Sequence, residues 1–176
     1  MVLRKINSVI SLITTVLLMD HALFNAAWML SQGTITKSAD FLSWVLVGLM
    51  VVHAIISIEL GMSAHRVVPT KEAASYPQKN VATVVQRISG MLLIVFTALH
   101  IAGTAGPLQP PPFIHAVLPV VFFAIALAHV AISTSKALIT LGVGNAKVVK
   151  VVDIVVKVIC AATLIADVVG FYLYLV

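Results

Sequence analysis

The chain has 176 residues, of which 61% are hydrophobic and only 10% are charged, and its mean hydropathy is +1.12. A water-soluble domain of this size needs more polar surface, so the composition excludes a soluble enzyme or binding domain. The formal net charge of +5 would suggest nucleic acid as a partner for a soluble protein. In a membrane protein, basic residues mark the sidedness of loops instead, and we expect no nucleic-acid partner.

Five apolar runs are long enough to cross a bilayer, since a span needs about 20 residues. They cover 8–30, 41–63, 86–106, 115–138 and 151–175. The runs are apolar throughout, whereas barrel strands would alternate, so they predict an all-α membrane protein with one transmembrane domain over 1–176. The first run is too long for the apolar part of a signal peptide and is therefore expected to be a span.

Basic residues predict the orientation of the spans. They precede the first run and fill the loops after the second and fourth runs: Arg4, Lys5, Arg66, Lys71, Lys79, Arg87, Lys136, Lys147 and Lys150. The loops on the other side contain only Lys37. The positive-inside rule then places the N-terminus in the cytoplasm and the C-terminus outside.

One histidine lies within each of the first four runs: His21, His53, His100 and His129. A titratable side chain at this depth is costly and usually has a function. Counting a helical rise of about 1.5 Å per residue places His21 and His100 about 20 Å from the inner surface. The same count places His53 at about 15 Å and His129 at about 10 Å. The depths predict two pairs, one from the first and third helices and one from the second and fourth.

Imidazole nitrogens ligate haem iron from both faces, so two such pairs predict two haems inside a four-helix bundle. The fifth helix has no such histidine and is expected to be peripheral. The alternative is four isolated histidines that are hydrogen-bonded between helices. His65 and His115 lie at helix ends, where interfacial or propionate-contacting roles are expected.

The neighbours of the four histidines agree with a haem site. Each histidine has a small polar residue four positions later, namely Asn25, Ser57, Thr104 and Ser133. These side chains are expected to bond a propionate, a water or a backbone carbonyl, with ordinary interhelical packing as the alternative. Gly48 and Gly90 lack a Cβ, which favours approach of a flat macrocycle or close helix contact.

One segment carries a family resemblance. Gln86-Arg87-Ile88-Ser89-Gly90, followed ten residues later by His100, resembles a motif of the membrane cytochrome b subunit of succinate dehydrogenases and fumarate reductases, in its version with five helices and two haems b. Val52-His53-Ala54 is similar to the second ligand segment of that family. The resemblance extends from about Asn7 to Gly142. One departure is Asn7, where the family often has a histidine.

The resemblance implies the following sites and partners. His21 and His100 would hold the distal haem, and His53 and His129 the proximal one. Arg87, Ser89 and Gly90 would belong to the haem-binding residues. A flavoprotein with FAD and an iron–sulfur protein would bind on the cytoplasmic side of a prokaryotic inner membrane. These partners would interconvert succinate and fumarate, a step of the tricarboxylic acid cycle. This chain would exchange electrons with a quinone, commonly menaquinone, and would not itself act on the dicarboxylate.

Carboxylates within or beside the spans are candidates for proton exchange with a quinone. Asp167 lies about 24 Å from the inner side and is the best placed. Asp20 adjoins His21 but points about 100° away from it, and Asp40 is also a candidate helix cap. For Asp167 and Asp20, hydrogen bonding to another helix is the alternative.

Two other functions stay open. Transmembrane cytochromes b of the ascorbate-reducible kind also place single histidines on four consecutive helices, but they have six helices and lack the Gln-Arg-Ile-Ser-Gly segment. A transporter that uses histidines to carry protons or metal ions would bind no haem.

Overall fold

The computed structural model describes residues 2–31, 40–66, 81–104 and 112–175. Within these ranges the chain forms five α-helices, α1 to α5 in chain order: Val2–Leu30, Asp40–Arg66, Val81–Thr104, Pro112–Leu141 and Ala146–Leu175. The predicted all-helical fold is confirmed. The helices extend up to six residues beyond the predicted runs, because apolar composition marks where a membrane ends and not where helical hydrogen bonding ends.

Four of the helices are long and apolar enough to cross a membrane, over Val2–Trp28, Phe41–Met62, Thr83–Gly103 and Val117–Leu141. Their outer faces carry large exposed apolar side chains in helical stripes. On α2, Val51, Ile55 and Ile58 are each more than half exposed. Exposing such apolar stripes to lipid is favourable, whereas exposing them to water is not. The protein is therefore an integral membrane protein.

The fifth predicted span, 151–175, lies in α5 and is helical throughout its described part. It is not among the four helices that meet the length and composition of a span. Its first half carries Lys147, Lys150, Asp153 and Lys157. That α5 crosses the membrane therefore stays a prediction.

Helices α1, α4 and α5 pack against one another, while α2 packs on α1 and α3 packs on α4. The position of α5 differs from the peripheral one that the sequence predicted. Cys160 joins the hydrophobic core with Leu18 of α1 and Leu127 of α4, and Thr163 and Asp167 are 1% and 2% exposed. Small residues on one face of α5 allow this close approach.

The turn between α4 and α5 is stabilised by hydrogen bonds at the C-terminus of α4 and at the N-terminus of α5. Gly142 has φ +100°, and the amides of Gly142 and Val143 donate to the carbonyls of Ile139 and Leu138. This pair of bonds is a Schellman motif, which a residue with a Cβ disfavours. Asn145 then caps α5, because its Oδ1 accepts from the amides two and three residues later. The turn holds α4 and α5 as an antiparallel hairpin.

Candidate functional site: two histidine pairs

His21 on α1 and His100 on α3 face each other across the bundle. Their ring centroids are 6.5 Å apart and their planes are perpendicular. In the described part of the chain, α1 and α3 do not pack along each other, so the two imidazoles meet across a gap between opposite helices. Two imidazoles that held one iron would have ring centres about 6 Å apart, because metal–imidazole bonds are about 2 Å long. The observed distance of 6.5 Å is close to that value.

Neighbouring side chains hold each ring of the His21–His100 pair, which the sequence predicts to be the outer one. The Nδ1 atom of His21 lies 3.1 Å from the hydroxyl of Ser43 on α2. The ring of His100 stacks on Phe122 of α4 at a centroid distance of 5.2 Å. Phe122 is 5% exposed and belongs to the core, so it fixes the plane of His100. Ligation of iron needs such fixed rings, because a mobile imidazole loses entropy on binding.

His53 on α2 and His129 on α4 are the predicted second, inner pair. Both side chains are half-buried, and α2 and α4 do not pack along each other in the described residues. The Nδ1 atom of His53 is buried and has no hydrogen-bond partner. A buried polar atom without a partner is costly, so this nitrogen has a bonding capacity that a bound ligand would satisfy. The backbone of Asn7 on α1 lies beside the His53 ring.

Asn7, which the sequence did not identify as a site residue, faces this inner pair. Its Nδ2 donates to the hydroxyl of Ser57 on α2 at 3.1 Å, and its Oδ1 is buried without a partner. An asparagine directly before the first predicted span was the available signal, because a buried amide needs a hydrogen-bond partner. The inner site therefore contains two unpaired buried polar atoms, His53 Nδ1 and Asn7 Oδ1.

Ser89 on α3 sets the protonation of His129. Its hydroxyl lies 2.9 Å from His129 Nδ1 and also donates to the carbonyl of Gln86 at 3.1 Å. A hydroxyl has one proton, so both contacts are satisfied together only when His129 Nδ1 carries the hydrogen and donates it to Ser89. The Nε2 atom then has a lone pair, which is the form that ligates iron.

Gly90 has a role in this geometry that differs from the predicted one. A Cβ on Gly90 would lie 3.3 Å from His129 Cε1 and 3.8 Å from its Nδ1. The glycine therefore makes room for the imidazole of His129, and its contact with a macrocycle stays a prediction. Gly48 is exposed, and a Cβ there would meet nothing within 4 Å.

Two of the small polar residues that follow the histidines bond within their own helix, whereas Ser57 accepts from Asn7 on α1. Asn25 Nδ2 donates to the carbonyl of His21 at 2.7 Å, and the Ser133 hydroxyl donates to the carbonyl of His129. These bonds to backbone carbonyls agree with one of the predicted options. The side chains of Thr104, His65 and His115 lie outside the described residues.

Positive charge lies two helical turns beyond His129. Lys136 Nζ donates to Gln86 Oε1 at 2.7 Å and to Thr83 Oγ1 at 3.2 Å, which joins α4 to α3. Arg87 is exposed at the same end of α3. The sequence assigned Lys136 only to topology, because the rotation of α4 about its axis was unknown.

The candidate carboxylates occupy different environments. Asp167 is 2% exposed, and neither of its oxygens has a hydrogen-bond partner. Thr163, one turn earlier, also buries a hydroxyl without a partner. Asp20 is exposed, as expected for a residue that points away from His21. Asp40 begins α2, but its side chain lies outside the described residues.

Within the described residues, no three histidine, cysteine or carboxylate side chains are placed to share a metal ion. His21 and His100 instead come together as a pair. Comparisons of the chain with protein-family models, with curated proteins and with solved structures found no match.

Proposed function

We propose that this chain is a dihaem cytochrome b that anchors a succinate dehydrogenase or fumarate reductase complex in the inner membrane of a prokaryote. It passes electrons between a membrane quinone, commonly menaquinone, and an iron–sulfur subunit, which is joined to a flavoprotein with FAD. The observation that carries the proposal is the approach of His21 on α1 to His100 on α3, with ring centroids 6.5 Å apart.

Haem b, when bound, supplies reversible one-electron transfer. The chain supplies the ligands and their orientation. His21 and His100 hold the outer haem, and His53 and His129 hold the inner one. Ser43 and Ser89 contact the Nδ1 atoms of His21 and His129, which leaves the Nε2 atoms as the ligating nitrogens.

Charged and polar side chains support binding of the haem propionates and proton exchange with the quinone. Arg87 and Lys136 bring positive charge to the end of the bundle nearer to His129, where it complements anionic propionates. Asp167 is 21 residues along α5 and His21 is 19 residues along α1, so the carboxyl group lies near the level of the outer pair if the two helices start at one side. A buried carboxyl group there can exchange protons with a reduced quinone.

The haem content of the purified chain tests the proposal. We expect two low-spin haems per chain. His21→Ala and His100→Ala should each remove the same haem, and His53→Ala and His129→Ala the other. Asp20→Asn is the matched control, because Asp20 adjoins His21 but is exposed, and it should keep both haems. A wild-type chain without haem would contradict the proposal and favour a transporter.

The partner assignment has a separate test. When the chain is expressed with its neighbouring genes, we expect a flavoprotein and an iron–sulfur protein to copurify, and succinate to reduce the haems. Reduction by ascorbate alone, with no such partners, would favour the ascorbate-reducible class.

A further inference from the structure

A groove of about 630 Å³ runs between α4 and α5 beside their connecting turn. It lies at the C-terminal end of the span Val117–Leu141, where a bilayer meets water. Its lining mixes apolar side chains such as Ile139 and Val149 with Lys136, Lys150 and Lys157. The groove contains none of the four histidines, and Lys136 is the residue that it shares with the proposed surroundings of the inner haem.

The groove contains more positive than negative charge. Its only acidic residue is Asp153, which accepts from Lys157 Nζ at 2.6 Å and also from the Ser135 hydroxyl. Lys136 donates to neutral oxygens of Gln86 and Thr83, so no carboxylate neutralises it among the described residues. Lys150 is exposed and makes no ion pair in that part of the chain. Two cationic side chains therefore lack an anionic partner.

The shape and setting of the groove select one class of anion. Ile139 is 61% exposed near the C-terminal end of α4, and it lines the same groove as Lys136 and Lys150. An acyl chain can therefore lie along Ile139 while a phosphate contacts the two lysines. Basic pockets between helices at a membrane surface bind anionic head groups in this way. We propose that the groove between α4 and α5 binds an anionic phospholipid, with Lys150 and Lys136 contacting its phosphate.

Lipid retention tests the site. The full chain is reconstituted in nanodiscs of equal parts phosphatidylcholine and phosphatidylglycerol, extracted in mild detergent and examined by native mass spectrometry. We expect phosphatidylglycerol to be retained in preference to phosphatidylcholine. Lys150→Gln should weaken retention about fivefold, since one basic residue near a membrane surface contributes about that factor. Lys150→Arg should restore retention.

Lys147 provides the matched control, because it lies on the same helix and is exposed but does not line the groove. Lys147→Gln should retain lipid as the wild type does. An equal loss in Lys147→Gln and Lys150→Gln would overturn the proposal, since general attraction of a basic surface would then explain retention. Equal retention of the two lipids, or displacement of the lipid by millimolar inorganic phosphate, would also overturn it. None of these outcomes depends on haem content.

Discussion

At the scale of single residues, the hydroxyl of Ser89 determines which nitrogen of His129 is available. Its contacts with Gln86 and His129 are compatible only with a hydrogen on Nδ1. Ser89→Ala should weaken the affinity of the inner site for haem about tenfold or more, as losing such an orienting group does, while Ser89→Thr should preserve it. Titration of the apoprotein with haem measures the change.

Ser133→Ala is the control for this variant, since the Ser133 hydroxyl bonds only to its own helix. It should leave both haems bound. If Ser89→Ala binds two haems as tightly as the wild type, Ser89 does not orient the ligand.

The burial of Asp167 gives a second prediction at this scale. Asp167→Asn removes the exchangeable proton but keeps the size of the side chain, so we expect quinone-linked turnover of the complex to fall about 100-fold. Haem content and dye-linked succinate oxidation should not change. Glu59→Gln, which alters an exposed carboxylate on α2, should leave turnover unchanged. Unaltered quinone kinetics in Asp167→Asn would redirect the search to Asp20 and Asp40.

At the scale of helices, the contact between α3 and α4 depends on Gly90. The 3.3 Å approach that an alanine Cβ would make to His129 requires the imidazole to shift, so Gly90→Ala should selectively weaken the inner haem. Gly48→Ala is a matched control, because a Cβ there meets open space. Optical spectra of the two purified variants distinguish these outcomes. Equal haem content in Gly90→Ala and Gly48→Ala would show that the ring of His129 can shift without loss of haem binding.

The turn between α4 and α5 provides a prediction on stability. Gly142→Ala places a Cβ at φ +100° and should destabilise the protein by about 1 kcal/mol. Gly144→Ala, in the same turn, meets no neighbour within 4 Å and has no such φ, so it should cost less. Thermal unfolding in detergent compares the two variants.

The sequence predicted the helices and the depths of the histidines, but it did not predict which side chains contact the histidine rings. Depth follows from the rise per residue, so His21 and His100 could be assigned to one level by counting. The contacts of Ser43 and Ser89 depend on how each helix is rotated about its axis, which runs of apolar residues on all sides do not specify. The same limit explains why Asn7 and Lys136 were not identified as neighbours of the inner pair.

At the scale of the whole molecule, sidedness remains a prediction from the basic residues. A cysteine at Asn145 should react with a membrane-impermeant thiol reagent only after cells are permeabilised, because its turn is exposed and follows the basic end of α4. Native Cys160 is 5% exposed and should react little. A cysteine at Ser31, at the other end of α1, should react in intact cells. The reverse pattern would invert the topology and move the partner subunits to the opposite face.

The packing of α1 on α5 joins the first helix of the chain to the last. During synthesis, α1 enters the bilayer before α5 has been made. The face of α1 with Ala22 and Ala26, which are buried in the folded protein, therefore first contacts lipid or another protein. The packing of α1 and α4 against α5 can form only after α5 has been synthesised. The final packing of α1 and α4 therefore depends on α5, and a chain that stops before α5 would leave both helices without the surface that completes their packing.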